Sequence, residues 1–133
     1  MTDIAATFRA SMEAYSRGDY DAAVTGFHPD IEWIVDPRVQ FDATTYHGHA
    51  GVKEFWRVWA EVIDEMELEI EECRALDDRL VLAVTRAHGR GAGSGIEVVS
   101  GSFAQLAEFE EGLAVRVRLF ADVKSALAAA GKG

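Results

Sequence analysis

Apolar residues follow two different periods along this chain. Near the start they recur every three or four positions, as at Ile4, Phe8 and Met12, which is typical of one face of a helix. The same period returns between residues 51 and 64. From Met66 onward every second residue is apolar, which is typical of half-buried strands. The pattern therefore predicts helices in the first half and strands in the second.

Turn-forming residues set the predicted boundaries in the first half. Gly18 suits the end of the first helix, and Asp19 can cap a short second helix. His28-Pro29-Asp30 is predicted as a turn and residues 31–35 as a strand. Residues 36–50 are predicted as a loop that leads into the third helix.

Four strands are predicted in the second half, at residues 66–71, 79–90, 96–109 and 113–121, followed by a short helix capped by Asp122. Helices segregated from antiparallel strands indicate the α+β class. We expect a curved, mixed or antiparallel sheet wrapped around three N-terminal helices, which leaves a cone with an apolar mouth. No linker or shift in composition divides the sequence, so residues 1–133 are predicted to form a single domain.

The composition of the chain disfavours two classes of binding partner, nucleic acids and membranes, and indicates a location. The 133 residues include 13 basic and 23 acidic ones, a net charge of −10, which disfavours nucleic acid because phosphate binding needs a basic surface. No apolar run approaches the roughly 20 residues of a membrane span, so no membrane partner is expected. The single Cys73 cannot form an internal disulfide, which favours a reducing, cytoplasmic location.

Several short motifs occur in a characteristic order. They are Arg17-Gly18-Asp19-Tyr20-Asp21-Ala22-Ala23, His28-Pro29-Asp30-Ile31-Glu32-Trp33, Tyr46-His47-Gly48-His49-Ala50-Gly51-Val52, Gly93-Ser94-Gly95-Ile96-Glu97-Val98 and Phe120-Ala121-Asp122. Together they resemble the SnoaL-like family of the nuclear transport factor 2-like, or ketosteroid isomerase-like, superfamily. The resemblance implies the cone fold (an α+β roll) and, as in many members, a homodimer formed through the sheet face. Fold analogy alone does not fix an activity, because the superfamily holds both enzymes and plain binding modules.

The resemblance also suggests three catalytic candidates. Asp36-Pro37 is similar to the pair that holds the base in ketosteroid isomerases, and Asp122 stands where SnoaL-type cyclases carry a late carboxylate. His88, or Arg86 beside it, would then be a neighbouring hydrogen-bond donor. The alternative interpretation of Asp122 is a helix N-cap without a catalytic role.

Basic residues alternate along two of the predicted strands. Arg86, His88 and Arg90 share one face of their strand, and Arg116 and Arg118 share a face of the last strand. If these faces point inward, the pocket is basic and suits a carboxylate or an enolate. If they point outward, the side chains are solvated or paired with acidic neighbours.

Five bulky aromatic residues are candidates for the cavity wall: Tyr15, Trp33, Trp56, Trp59 and Phe103. Aromatic residues at helical spacing usually form core, and in a cone the same residues line the cavity above the core. His47-Gly48-His49 could supply two ligands to a metal ion, but no Cys, Asp or Glu completes the set at a recognisable spacing. No metal and no cofactor are therefore expected.

Three functional hypotheses follow. In the first, the protein is an enzyme that acts on a small hydrophobic carbonyl compound by acid–base proton transfer, as an isomerase, cyclase, hydrolase or dehydratase does. Alternatively, it binds a small apolar ligand without catalysis, or it is a dimeric interaction module.

Overall fold

The structure, a computed structural model, describes residues 3–39 and 45–131. Helix α1 (Ile4–Ser16) begins at Asp3, whose carboxylate accepts a hydrogen bond from the backbone N–H of Ala6 at 3.1 Å. The apolar positions of α1 turn one face inward, and its buried side chains include Ile4, Phe8, Met12 and Tyr15. The first predicted helix is confirmed.

A glycine ends α1 and an aspartate starts the next helix. Gly18 adopts a φ of +78°, and its N–H donates to the carbonyl of Tyr15 at 2.9 Å, which satisfies the end of α1. The carboxylate of Asp19 accepts a hydrogen bond from the N–H of Ala22 at 3.1 Å and caps the short helix α2 (Tyr20–Ala23). Both boundaries agree with the sequence-based prediction.

The remaining elements form a curved, unclosed sheet and two further helices. Along the chain they are β1 (Phe27–Val35), β2 (Thr45–His47), α3 (Gly48–Ala60), β3 (Ile63–Ala75), β4 (Leu80–Gly91), β5 (Glu97–Val99), β6 (Phe103–Glu110), β7 (Leu113–Phe120) and α4 (Val123–Ala129). Within the described residues the strand order is β2-β1-β7-β6-β4-β3, and β5 pairs with β4. Among the described strands only the β1–β7 pairing is parallel, so the sheet is mixed and the fold is α+β, as expected.

Three local predictions were wrong. His28-Pro29-Asp30 lies inside β1 rather than in a turn, although the β1–β7 register is irregular between Phe27 and Glu32. Proline has no N–H to donate to a ladder, which fits a bulged stretch. The segment predicted as loop contains β2, and α3 begins at Gly48 and ends at Ala60, earlier than expected at both ends.

The long strand predicted over residues 96–109 is interrupted. β5 ends at Val99 and β6 begins at Phe103, and the chain between them leaves the ladder. The hydroxyl of Ser100 accepts a hydrogen bond from the N–H of Ala87 at 2.8 Å and donates one to the carbonyl of Gly101 at 2.8 Å. A serine side chain thus replaces part of the strand pairing, which is how such residues compete with regular structure.

The two faces of the sheet have different coverings. The inner face packs on α1 and α3, and its buried residues include Val81, Ala83, Ala107 and Val117. The outer face carries a smaller apolar cluster, in which Ala126 of α4 joins Leu82, Val84 and Ala104. No helix among the described residues is long and apolar enough to span a membrane.

Candidate functional site

A cavity of about 340 Å³ opens between α1, α3 and the inner face of the sheet. Small-molecule sites commonly measure roughly 300–1,000 Å³ and have mainly apolar walls. The walls here include Phe8, Met12, Trp33, Phe55, Trp56 and Leu119. Both helices and six strands of the sheet contribute to this lining, so secondary structure fixes its shape.

Aromatic rings form one continuous side of the cavity. The ring centres of Trp33 and Phe55 are 5.7 Å apart, and those of Trp33 and Trp56 are 5.8 Å apart at an interplanar angle of 82°. Tyr15 continues the contact, with its ring centre 5.1 Å from that of Trp56. Such tilted and edge-on contacts hold the rings in place and present apolar surface to a ligand.

Few polar groups reach this lining. Ser11 uses its hydroxyl to donate to the carbonyl of Ala23 at 2.7 Å. Burial, with the neighbouring Tyr20 as a smaller cause, raises the pKa of the Tyr15 phenol well above its usual value, so Tyr15 remains protonated. The indole N–H of Trp33 is buried and has no acceptor among the described residues. Within the part of the chain that the structure describes, the Gln105 amide donates only to the sulfur of Met12, at 3.8 Å.

The described lining carries little charge. It contains no aspartate or glutamate, and Arg38 is the only lysine or arginine within it. A bound cation would find no carboxylate partner there, and Arg38 already has two carboxylate partners. The cavity therefore suits an uncharged molecule.

Arg38 lies at the rim of the cavity and bridges two acidic residues. Its guanidinium donates to Asp36 at 2.9 Å and to Asp122 at 3.2 Å, and it also reaches the hydroxyl of Ser125 at 2.9 Å. Hydrogen bonds from the side chain and backbone of Arg38 hold the pKa of Asp36 below its usual value. Hydrogen bonds from Ser125, supported by Arg38, lower the pKa of Asp122.

Sequence comparison places the chain in a known family. The family model of the SnoaL-like domain matches residues 8–117. The chain belongs to the SnoaL-like domain family. No curated protein sequence matches this SnoaL-like chain.

Solved structures share the fold of this SnoaL-like protein. An NTF2-like protein from Burkholderia thailandensis has a TM-score of 0.78 at 22% identity, over 99% of this chain and 98% of that one. An NTF2-like protein of unknown function from Burkholderia pseudomallei has a TM-score of 0.77 at 24% identity, over 96% and 97% of the two chains. TerC, co-crystallised with polyporic acid, has a TM-score of 0.76 at 22% identity, over 94% and 95%.

The five aromatic candidates all contribute to the cavity wall: Tyr15, Trp33, Trp56, Trp59 and Phe103. Three of them are also almost fully buried, because the wall of this SnoaL-like cavity is continuous with the core beneath it. Both interpretations offered by the sequence therefore apply, because these aromatic residues belong to the core and to the cavity wall.

The basic candidates lie mainly on the outer face of the sheet. Inner-face positions of β4 include Val81, Ala83 and Ala87, so Arg86 points outward, where it lies 3.8 Å from Glu71. Arg116 also points outward and pairs with Glu32 at 3.0 Å. The structure thus favours the outward interpretation of both arginines.

His88 occupies a boundary position. Its stretch of β4 contributes to the cavity wall, but its imidazole Nε2 lies 3.2 Å from the carboxylate of Glu69 on neighbouring β3. Leu68, next to Glu69, faces the cavity instead, so Glu69 and the imidazole share the outer face. The structure therefore brings Asp36 and Asp122 together through Arg38 but leaves His88 apart from them.

Asp122 caps α4 in addition to binding Arg38. Its Oδ1 accepts a hydrogen bond from the N–H of Ser125 at 2.7 Å, as the N-cap interpretation predicts. Neither Asp122 nor Asp36 belongs to the described cavity lining.

His49, from the possible metal pair, forms a 2.8 Å contact between its Nε2 and the carbonyl of Phe27. In residues 3–39 and 45–131 no group of three potential metal ligands is found.

Sequence reasoning missed several residues of the site, Arg38 and Gln105 among them. Arg38 follows the singled-out Asp36-Pro37 pair by one position, but nothing in the pattern shows that it also reaches Asp122. Gln105 is a polar residue within a predicted strand, and only the orientation of that strand shows that it faces the cavity. The alternation of residues along a strand shows which side chains share a face, but it does not show which face points into the protein.

Proposed function

We propose that this SnoaL-like protein binds a small, uncharged, hydrophobic molecule in the cavity beneath α1 and α3. The observation that carries the proposal is the wall itself: aromatic and aliphatic side chains surround about 340 Å³ without a described carboxylate. An apolar ligand of matching size would gain from leaving water, roughly 25 cal/mol for each Å² of apolar surface buried. The binding of polyporic acid by the fold relative TerC is consistent with a ligand site in such a cone.

Calorimetry with naphthalene tests the proposal, together with native mass spectrometry of the purified protein for a retained ligand. Naphthalene is expected to bind the wild type and to raise its melting temperature. Ala87→Phe places a ring at a cavity-lining position and should abolish binding. Ala75→Phe, at an exposed position near the end of β3, is the matched control and should bind normally. Failure of the wild type to bind any probe of this size would overturn the proposal.

A second candidate function is proton transfer on a hydrophobic carbonyl compound, with Asp36, His88 and Asp122 as acid–base groups. It is supported by Arg38, which joins Asp36 and Asp122 at the rim of the cavity. The lowered pKa values of both carboxylates make them weaker bases, and for this reason we favour binding as the primary function.

Hydrogen–deuterium exchange of the methyl group of 2-acetylnaphthalene tests this second candidate. An enzyme of this type would accelerate the exchange, and Asp36→Asn or Asp122→Asn would slow it by about a hundredfold. Exchange no faster than in buffer, with the ketone shown to be bound, would leave only the binding function.

A further inference from the structure

The described cavity wall contains one carboxamide, and it stands in an apolar setting. Gln105 lies in β6 between the neighbouring strands β4 and β7, where it pairs with Ala83 and Leu119. Its side chain lines the cavity, and only 3% of the residue is exposed to solvent. A leucine or methionine at this position would continue the apolar wall.

The hydrogen-bonding capacity of Gln105 is largely unused. A glutamine amide has two N–H donors and an oxygen with two lone pairs. Among the described residues the side chain forms one hydrogen bond, from Nε2 to Sδ of Met12 at 3.8 Å. A thioether is a weak acceptor, so this contact recovers little of the cost of removing the amide from water.

We propose that Gln105 is a specificity-determining residue that selects uncharged ligands carrying a hydrogen-bond acceptor. The inference rests on the proposed binding function and adds a chemical requirement to it. An acceptor such as a carbonyl oxygen or an aromatic ring nitrogen replaces the sulfur of Met12 as the partner of the amide N–H. A pure hydrocarbon leaves the amide as poorly bonded as it is in the empty cavity.

The weak bonding of Gln105 also has a consequence for stability. Because the amide is buried with one weak partner, it contributes little to the folded state without ligand. Gln105→Met preserves the approximate volume and the unbranched shape of the side chain. This substitution should therefore leave the unligated protein at least as stable as the wild type.

Quinoline and naphthalene are a matched pair of probes, since they differ only in one ring nitrogen in place of a CH group. Their affinities are measured by calorimetry at a pH well above the pKa of quinoline, so that both are uncharged. The ratio of quinoline to naphthalene affinity is compared between variants, which cancels the different hydration of the two probes. Gln105→Met should lower this ratio about tenfold, the effect of one buried hydrogen bond. Leu106→Met, on the opposite face of β6, is the control and should leave the ratio unchanged.

Nuclear magnetic resonance gives a second readout, which is measured on the wild-type protein. The sequence has two glutamines, Gln40 and Gln105, and no asparagine, so the side-chain amide region holds only two pairs of signals. Quinoline should shift the Gln105 pair, identified by its loss in Gln105→Met, and naphthalene should shift it much less.

The outcomes separate this inference from the function on which it rests. If both probes bind, but the affinity ratio is the same in Gln105→Met and quinoline does not move the Gln105 signals, Gln105 is not a specificity determinant and the binding function stands. If neither probe binds the wild type, both proposals are overturned.

Discussion

At the scale of single residues, Arg38 carries the densest set of interactions at the cavity rim. It links Asp36, which directly follows β1, to Asp122, the N-cap of α4. The pKa of Asp36 is lowered, so its ionised form stabilises the folded state above the ordinary carboxyl pKa, and this stabilisation is lost as the pH falls through the folded-state pKa. Through these two ion pairs, Arg38 helps to hold the start of α4 against the segment that follows β1.

Arg38→Met should lower the free energy of unfolding at neutral pH only slightly, because Arg38 is more than half exposed and its ion pairs are screened by solvent. The difference from the wild type should shrink as the pH falls below the ordinary carboxyl pKa of about 4, and it should vanish once Asp36 is protonated in both proteins, below its lowered folded-state pKa. Urea denaturation across this pH range measures the effect. Arg57→Met, which removes an exposed arginine from α3, controls for the lost positive charge. A difference that is independent of pH would contradict the electrostatic explanation.

At the scale of elements, α4 is a short helix whose start depends on one side chain. Asp122 caps it, and Ala126 buries itself against the outer-face cluster. The sequence predicted this element well because an N-cap and a short apolar helix are local signals. It predicted the break between β5 and β6 poorly, because the pairing of Ser100 with Ala87 is a contact between distant parts of the chain.

In the candidate site, too, the sequence predicts local features but not the contacts between distant parts of the chain. The aromatic wall could be predicted, since Trp33, Trp56 and Phe103 occupy positions that any helix-on-sheet packing must bury. The orientation of Arg86 and Arg116 could not, because strand alternation is symmetric between the two faces. The packing of β4 and β7 against the helices determines which face of each strand points inward.

Two substitutions at Asp122 separate capping from charge. Asp122→Ala should destabilise the protein through the loss of both the cap and the ion pair with Arg38. Asp122→Asn keeps an acceptor for the N–H of Ser125 but loses the ion pair with Arg38, so it should cost less. Thermal unfolding of the two variants measures the difference. Equal losses would show that charge, rather than capping, is the main contribution.

Gly89 fixes the approach of β3 to β4. A Cβ atom there would lie 2.4 Å from Cγ2 of Ile63 and 2.9 Å from the carbonyl oxygen of Asp64, which is too close without movement of β3. Gly89→Ala should therefore destabilise the protein by about 1–3 kcal/mol and speed amide hydrogen exchange in β3. Gly101→Ala is the matched control, since its Cβ would meet no atom within 4 Å. Similar stability of the two variants would show that the strands separate more easily than the geometry indicates.

At the scale of the whole molecule, the two faces of the sheet imply different roles. The inner face is closed by α1 and α3 and contains the cavity, so it is occupied by the core and by the proposed ligand site. The outer face combines ion pairs such as Arg116–Glu32 with the exposed Val99, and α4 adds apolar contacts to only part of it. A homodimer formed through this face leaves both cavities open and remains our prediction for the assembly.

Light scattering after gel filtration tests that assembly with two matched variants. Val99 is 48% exposed and shares the outer face with His88, its cross-strand neighbour, whereas Val58 is 41% exposed on α3. The wild type is expected to elute as a dimer. Val99→Glu should shift it towards monomer, because removing a charged carboxylate from water into a protein contact costs more free energy than burying a valine. Val58→Glu introduces the same charge on the opposite side of the molecule and should remain dimeric. A wild type that is monomeric at all concentrations would refute the dimer, and equal dissociation of both variants would place the interface away from the outer face.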